Sequence, residues 1–312
     1  MFKNREYVLE VYKEKSFSAA AKNLYISQPS LSASIKRIEE KAGTAIFDRS
    51  TQPVSLTEIG ERYIKCARDI DAIEEEFANF VGDRLGLVKG EITVGGSSLF
   101  SAYVLPGLIS EFNGKYPNIH FRIVEDNTKN LMAMLLSGEV DIVIDNVKII
   151  NENIISKEYK EEMLLLSVPK KFFKDEECGF TAADIRKNLH KKQNAPTIPL
   201  ETFASMPFIF LKPDNDTGKR GKQLCKKHGI MPNVLFELDQ QVTAYNISCS
   251  GLGISFVSDT LLKCVSGEKD VLYYKLPDKE INRNFYFYIK TNRYLSTVCK
   301  TFMEMLNEKK GM

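Results

Sequence analysis

Apolar residues recur at three- and four-residue steps through the first quarter of the chain and at strand-like spacing beyond it, so helices are expected first and alternating strands and helices afterwards. Tyr7, Val8, Val11 and Tyr12 line one face of a helix over residues 4–14. Ser16 is placed to cap a short second helix, Phe17 to Leu24, whose alanines permit close approach of a neighbour. After the connection Tyr25-Ile26-Ser27 comes Pro29, which a helix accepts only in its first turn, where amides lack an intrahelical partner. A third helix therefore starts there. Its inner face is Leu31, Ile35, Ile38 and Ala42, leaving Pro29, Ser30, Ala33, Lys36 and Arg37 outward. Gly43 ends it, and residues 44–57 supply two short extended pieces around a polar turn, a wing.

From Thr57 onward Ile59, Tyr63, Cys66, Ile70, Ile73, Phe77 and Phe80 alternate in steps of four and three, a narrow seam of the kind two helices share. Two copies of this helix are expected to pair, since packing on its own domain would need a wider stripe. Beyond residues 82–86 the period changes. Strands are expected at 91–98, 121–125 and 140–144, with helices between them over Val104 to Phe112 and Leu131 to Leu136. A second half repeats the theme with strands at 207–211 and 234–238 and helices at 218–228 and 241–250. It closes with Gly251 to Val257, strands at 271–276 and 284–290, and a helix at 296–308. Such alternation means βαβ units. The lysine-rich stretch Phe172 to Ala195 finds no place in it.

Charge sharpens the reading of the first helices. The chain carries 43 basic and 41 acidic residues, net +2, so any nucleic-acid site must be local. Residues 1–65 hold eleven Lys and Arg against eight Asp and Glu, and Ser27 to Arg37 contain two basic residues and no acidic one. Glu39 and Glu40, which phosphate would repel, follow. The third helix is thus polarised like a recognition helix, N-terminal end toward DNA; a plain solvated amphipathic helix shares its periodicity.

Ser16 to Ala21, Ser27-Gln28-Pro29-Ser30-Leu31-Ser32, Ile35 to Glu39, Gly43, Phe47-Asp48-Arg49 and Leu56 to Gly60 together resemble the LysR-type transcriptional regulators, in order and without a gap. The resemblance implies that Ser27, Gln28, Pro29, Ser30, Ser32 and Ala33 face operator DNA, with Lys36, Arg37 and Arg49 near phosphates. Where this chain has Ala33, members of the family often carry arginine; a methyl can still contact thymine. The resemblance further implies a dimer that places two reading heads on one partly palindromic site, and a two-lobed effector domain related in fold to periplasmic binding proteins; a homodimer or homotetramer in contact with RNA polymerase is expected. The expected fold is therefore mixed: an all-α winged helix-turn-helix at 1–58, a linker and dimerisation helix at 59–88, and a two-lobed α/β effector-binding domain at 89–312.

Ligands in such sheets bind beyond the carboxyl ends of the strands, which singles out Ser97, Ser98, Asn127 and Thr128. Their hydroxyls and amides beside helix N-termini would suit a small anion, and would equally serve as caps. Leu211, Lys212, Gln240, Gln241 and Tyr245 are expected on the second lobe's side of the cleft, where Lys212 could neutralise an anionic effector or simply sit in water.

Enzymatic chemistry finds little support. His120, His190 and His228 are scattered, no glycine-rich phosphate loop or nucleophile elbow follows a strand, and Asp141 and Asp145 form no evident acid–base pair. No catalytic residue, metal or cofactor is expected. An enzyme acting on a small anionic substrate and a thiol-based redox regulator are the alternatives; Cys225 and Cys249 fall in the second lobe, but their spacing carries no peroxide-sensing signature. The six cysteines lie far apart, with neither the close pairs of a zinc site nor the density of a disulfide scaffold, and are expected to be reduced thiols, mostly buried. With no run of 18 apolar residues and no apolar N-terminal stretch, a cytoplasmic protein without membrane contact is expected.

Overall fold

The computed structural model describes residues 1–84, 90–266 and 270–308. The boundary expected at 88/89 lies outside the described residues. The chain divides into two compact units, the first built from the helices up to residue 84 and the second from most of the remainder.

In the first unit, α1 (Arg5–Glu14), α2 (Phe17–Asn23) and α3 (Gln28–Ala42) bury Val8, Val11, Ala20, Ala21, Leu31, Ile35 and Ile38 against one another. Each start and stop has a local cause. Ser16 Oγ accepts the Ala19 amide at 3.3 Å, and Ser27 Oγ accepts the Ser30 amide at 3.3 Å, with Pro29 in the first turn. Gly43 closes α3 at φ 75°, where a residue with a Cβ would be strained. The wing is the antiparallel pair β1 (Phe47–Asp48) and β2 (Ser55–Leu56). Glu39, on the last turns of α3, holds it: one carboxylate oxygen accepts the amides of Ile46 and Phe47 at 2.9 and 3.2 Å.

Helix α4 (Glu58–Arg84) spends its two ends differently. Tyr63, Ile64 and Ala67 pack into the core of the first three helices, and Arg5 reaches Asp71 and Glu74 at 2.5 Å each. Tyr63, expected on a seam shared with a second copy, is therefore core of its own unit, 5% exposed and stacked on Phe2. Farther along, Ile73 and Phe77 are 65% and 66% exposed.

The second unit contains β3 (Gly90–Gly96), α5 (Leu105–Lys115), β4 (Ile119–Glu125), α6 (Thr128–Ser137) and β5 (Ile142–Asp145). A strand with no counterpart in the expected pattern follows, β6 (Ile154–Pro169). Next come α7 (Ala182–Arg186), β7 (Pro207–Leu211), α8 (Asp216–Lys227), β8 (Asn233–Leu238), α9 (Gln241–Cys249), β9 (Ile254–Ser258), α10 (Asp259–Cys264), β10 (Val271–Tyr274), β11 (Asn282–Lys290) and α11 (Thr297–Glu308). One sheet runs β4-β3-β5-β11-β6-β9-β7-β8, with β10 also on β6. Two lobes share it. In the first, β3 lies parallel to both β4 and β5; in the second, β7 lies parallel to both β8 and β9.

Strand β6 is continuous through both lobes: residues 154–163 pair with β11, and 164–169 pair with β9 and β10. Its first half is charged and half-exposed, its second wholly buried, so no single two-residue period runs along it. Apolar cores fill each lobe, Ile92, Val94, Phe112 and Phe302 in the first, Leu164, Phe208, Phe256 and Tyr273 in the second. The lysine-rich stretch folds onto the second lobe. Thr181 and Asp184 form a capping box at α7, and the buried His190 Nε2 lies 3.1 Å from Asp259 Oδ2 at the start of α10.

Candidate functional site

Two surfaces carry the residues singled out by the sequence. On the first unit Ser27, Gln28, Pro29, Ser30, Ala33, Lys36, Arg37 and Arg49 are exposed and Ser32 is half-buried, while Leu31, Ile35 and Ile38 point inward. The cause is the α-helical period: the serine cap fixes where the helix starts, and inner positions at steps of four and three leave the small and basic residues outside. Arg49 is less free than its neighbours. Its guanidinium lies 3.1 Å from Glu39 and 4.8 Å from the centre of the Phe17 ring. Tyr25, read in the sequence as mere connection, is 95% exposed with φ 54° two residues before the Ser27 cap, an aromatic close in sequence to the exposed helix start.

On the second unit a cavity of about 340 Å³ opens between the lobes, within the range of small-molecule sites. Five strand ends build it. Ser97 to Leu99 follow β3, Glu125 to Thr128 join β4 to α6, and Asp145 and Asn146 end β5. From the second lobe, Asp214 to Thr217 join β7 to α8, and Asp239 to Gln241 join β8 to α9. Carboxyl ends of parallel strands and N-termini of helices meet there, as the topology of two parallel half-sheets requires.

Arg283, near the start of β11, is the one cationic side chain of the lining and was missed in the sequence, whose expected strand begins one residue later, at 284. Its guanidinium donates to Glu162 on β6 at 2.5 Å and to Asp216 and Thr217 of the second lobe at 2.8 and 3.0 Å. With the Asn146 amide oriented to satisfy both groups, its oxygen accepts from the same guanidinium at 2.9 Å, so Arg283 binds both lobes at the cavity floor.

Of the residues expected to line the cleft, Ser97, Ser98, Asn127, Thr128, Gln240 and Gln241 do so. Leu211, Lys212 and Tyr245 do not. Leu211 and Tyr245 are buried, the first against Ala244 and the second with its hydroxyl 3.0 Å from that of Tyr273, because their strand and helix turn those positions into the second lobe's core. Lys212 is exposed and pairs with Asp239 at 2.8 Å. The hydroxyls expected to receive an anion are also engaged: Ser98 donates to Glu125 at 2.5 Å and Thr128 to Asp145 at 2.7 Å. Burial pushes the Asp145 carboxyl above its usual range.

No helix among the described residues is long and apolar enough to cross a membrane, and no group of three or more His, Cys, Asp or Glu among them is placed to hold a metal ion. All six cysteines are free thiols, but against expectation only Cys225 and Cys299 are buried, and burial pushes the Cys225 thiol up to about 11.

A capped, basic helix-turn-helix head followed by a two-lobed cleft of this design defines a ligand-responsive DNA-binding regulator. The chain belongs to the LysR family: the model of the bacterial regulatory helix-turn-helix protein, lysR family, matches residues 2–61, and that of the LysR substrate binding domain matches residues 86–311. It is a DNA-binding transcriptional regulator with a C-terminal effector-binding domain. Among curated proteins it is similar to the uncharacterized HTH-type transcriptional regulator YcgK of Bacillus subtilis, 29% identical over 97% of this chain and 93% of the relative. It is also similar to a probable RuBisCO transcriptional regulator of Cyanidioschyzon merolae, 30% identical over 94% of this chain and 93% of the relative. Among solved structures, full-length CbnR complexed with its target DNA shares the fold, with a TM-score of 0.68 and 18% identity over 99% of both chains.

Proposed function

We propose that this regulator is a cytoplasmic, non-enzymatic homodimer, assembling further into a tetramer, whose operator binding is set by a small molecule in the interlobe cavity. The domains are those read from the sequence, 1–58, 59–88 and 89–312. Gln28, Pro29, Ser30, Ser32 and Ala33 read base edges, Ser27 fixes the helix start against the backbone, and Lys36, Arg37 and Arg49 neutralise phosphate. The observation that carries this reading is the continuous exposed face of α3, which is small and polar at its capped N-terminus and basic one turn later. Exposed Ile73, Phe77 and Phe80 on α4 give a second copy its docking stripe, so that two heads reach one partly symmetric site. Ligand binding favours one arrangement of the assembly by differential affinity, and the assembly contacts RNA polymerase at the promoter.

A mobility shift with DNA just upstream of the protein's own gene tests this. Ser30→Glu should abolish the sequence-specific shift, and Arg37→Ala should weaken binding to all sequences alike, because the first change puts a charge against base edges and the second removes a phosphate contact. Undiminished specific binding by Ser30→Glu would remove α3 from the interface. A thiol switch has the weaker support, since burial raises the pKa of Cys178, Cys225 and Cys264 and so disfavours the reactive thiolate.

A further inference from the structure

The cavity between the lobes is rich in hydrogen-bond acceptors and negative charge. Six carboxylates line it, those of Glu125, Asp126, Asp145, Asp214, Asp216 and Asp239, against the single guanidinium of Arg283. That guanidinium is already matched by Glu162 and Asp216, both within 2.8 Å. Lys212 answers Asp239 and Arg220 answers Asp216, at 2.8 and 2.7 Å. No ion pair among the described residues reaches the other four carboxylates lining the cavity.

Two of the neutral donors are engaged as well. The Ser98 and Thr128 hydroxyls donate to Glu125 and Asp145, and Thr217 Oγ1 accepts from both Arg283 and Gln241. An entering carboxylate would meet an excess of like charge. Asp145 is 3% exposed and already accepts the Thr128 hydroxyl at 2.7 Å, the Asn146 backbone amide at 2.6 Å and the Asn146 side-chain amide at 3.2 Å, so it contributes negative charge to the wall rather than a free acceptor. Burial raises its pKa, and its hydrogen bonds and the charge of Arg283 only partly offset this. A concave site lined by one sign of charge concentrates the opposite sign.

We infer that the effector carries a cationic nitrogen group, an ammonium or a guanidinium, received by Asp126 and Asp214 at the cavity wall. No three of these carboxylates are grouped as metal ligands would be, which favours an organic cation. This inference rests on the reading of the cavity as the effector site, and it replaces the anionic effector expected from the hydroxyls alone.

Thermal denaturation and calorimetric titration of the full chain with putrescine, agmatine and L-lysine, against succinate and benzoate, test it. At least one amine at millimolar concentration should raise the melting temperature while neither anion does. The exposed or half-exposed carboxylates permit a variant that keeps the fold: Asp126→Asn with Asp214→Asn should weaken that amine by about ten- to a hundredfold, the weight of one charged hydrogen bond, and leave the unliganded melting temperature unchanged. An anion that stabilises the wild type and loses its effect in Ser98→Ala would overturn the charge class while keeping the cavity as the effector site. Stabilisation by an amine that the double variant leaves intact would place the ligand elsewhere and overturn both. No response to any of the three amines overturns the charge class.

Discussion

Arg283 and Glu162 meet at 2.5 Å with side chains 1% and 0% exposed, one on β11 and the other on β6, the two strands that pair at the meeting of the lobes. A second carboxylate, Asp216, and Thr217 complete the guanidinium's contacts, and Glu162 Oε1 is buried without a hydrogen-bond partner. Removing one member of such a pair leaves its partner charged and dry. Arg283→Met is expected to lower stability by about 3–5 kcal/mol, read as an earlier urea midpoint of the second unit. An unchanged midpoint would mean that the pair is hydrated rather than buried.

Gly218 sits in the first turn of α8 with the end of β7 behind it. A Cβ there would press on the Leu211 carbonyl and stand 2.6 Å from the Lys212 carbonyl oxygen. Gly218→Ala should therefore destabilise by about 1–3 kcal/mol and shift Asn215 to Thr217 at the cavity mouth. A melt combined with ligand titration separates the two effects. Wild-type stability and affinity together would show that the helix has room to move.

The second half of α4 supplies the pairing surface in our proposal. Phe77→Asp, at a 66% exposed position, should leave the head folded and weaken dimerisation by at least about thirtyfold, the size of a ~2 kcal/mol hot spot. Sedimentation equilibrium measures this, and wild-type association by the variant would exclude the stripe from the interface.

His228 lies 2.8 Å from Asp278 and 2.7 Å from Glu201, hydrogen bonds that raise its pKa, that to Asp278 contributing most. Both carboxyls are held low. For Asp278 burial works upward and the hydrogen bonds from Lys227 and His228 outweigh it; for Glu201 a backbone hydrogen bond comes first and His228 second. A raised folded pKa means that the histidine's contribution is complete below its unfolded value of about 6.5 and fades as pH rises through the higher folded one. The carboxyls act oppositely, losing theirs as pH falls through their depressed values. Melting temperature should decline across neutral pH in the wild type and decline less in His228→Gln; parallel curves would show that the cluster is not linked to folding.

The head was legible because its punctuation is local. Ser16, Ser27, Pro29 and Gly43 each act within one turn of their own position, and the inner face of α3 is set by period alone. The α4 seam was legible only as a pattern: Tyr63 and Phe77 share one stripe in sequence, yet the first packs into the head and the second is exposed, a difference decided by how far the head reaches along the helix. Strand β6 escaped because its charged half faces β11 and its apolar half runs through the second lobe. In the cleft, strand ends pointed to Ser97, Ser98, Asn127, Thr128 and Gln241, whereas Leu211 and Tyr245 turn inward. Arg283 arrives from far along the chain, and no local signal announces it.

Selection of binding sites from random duplex DNA by the full chain, followed by affinity measurements over a range of salt, tests the regulator reading most directly. A partly two-fold symmetric site should emerge, bound with an affinity that falls steeply with salt, and Ser30→Glu should fail to enrich it. No enrichment above background at low salt, or the same site selected equally well by Ser30→Glu, would contradict recognition through α3.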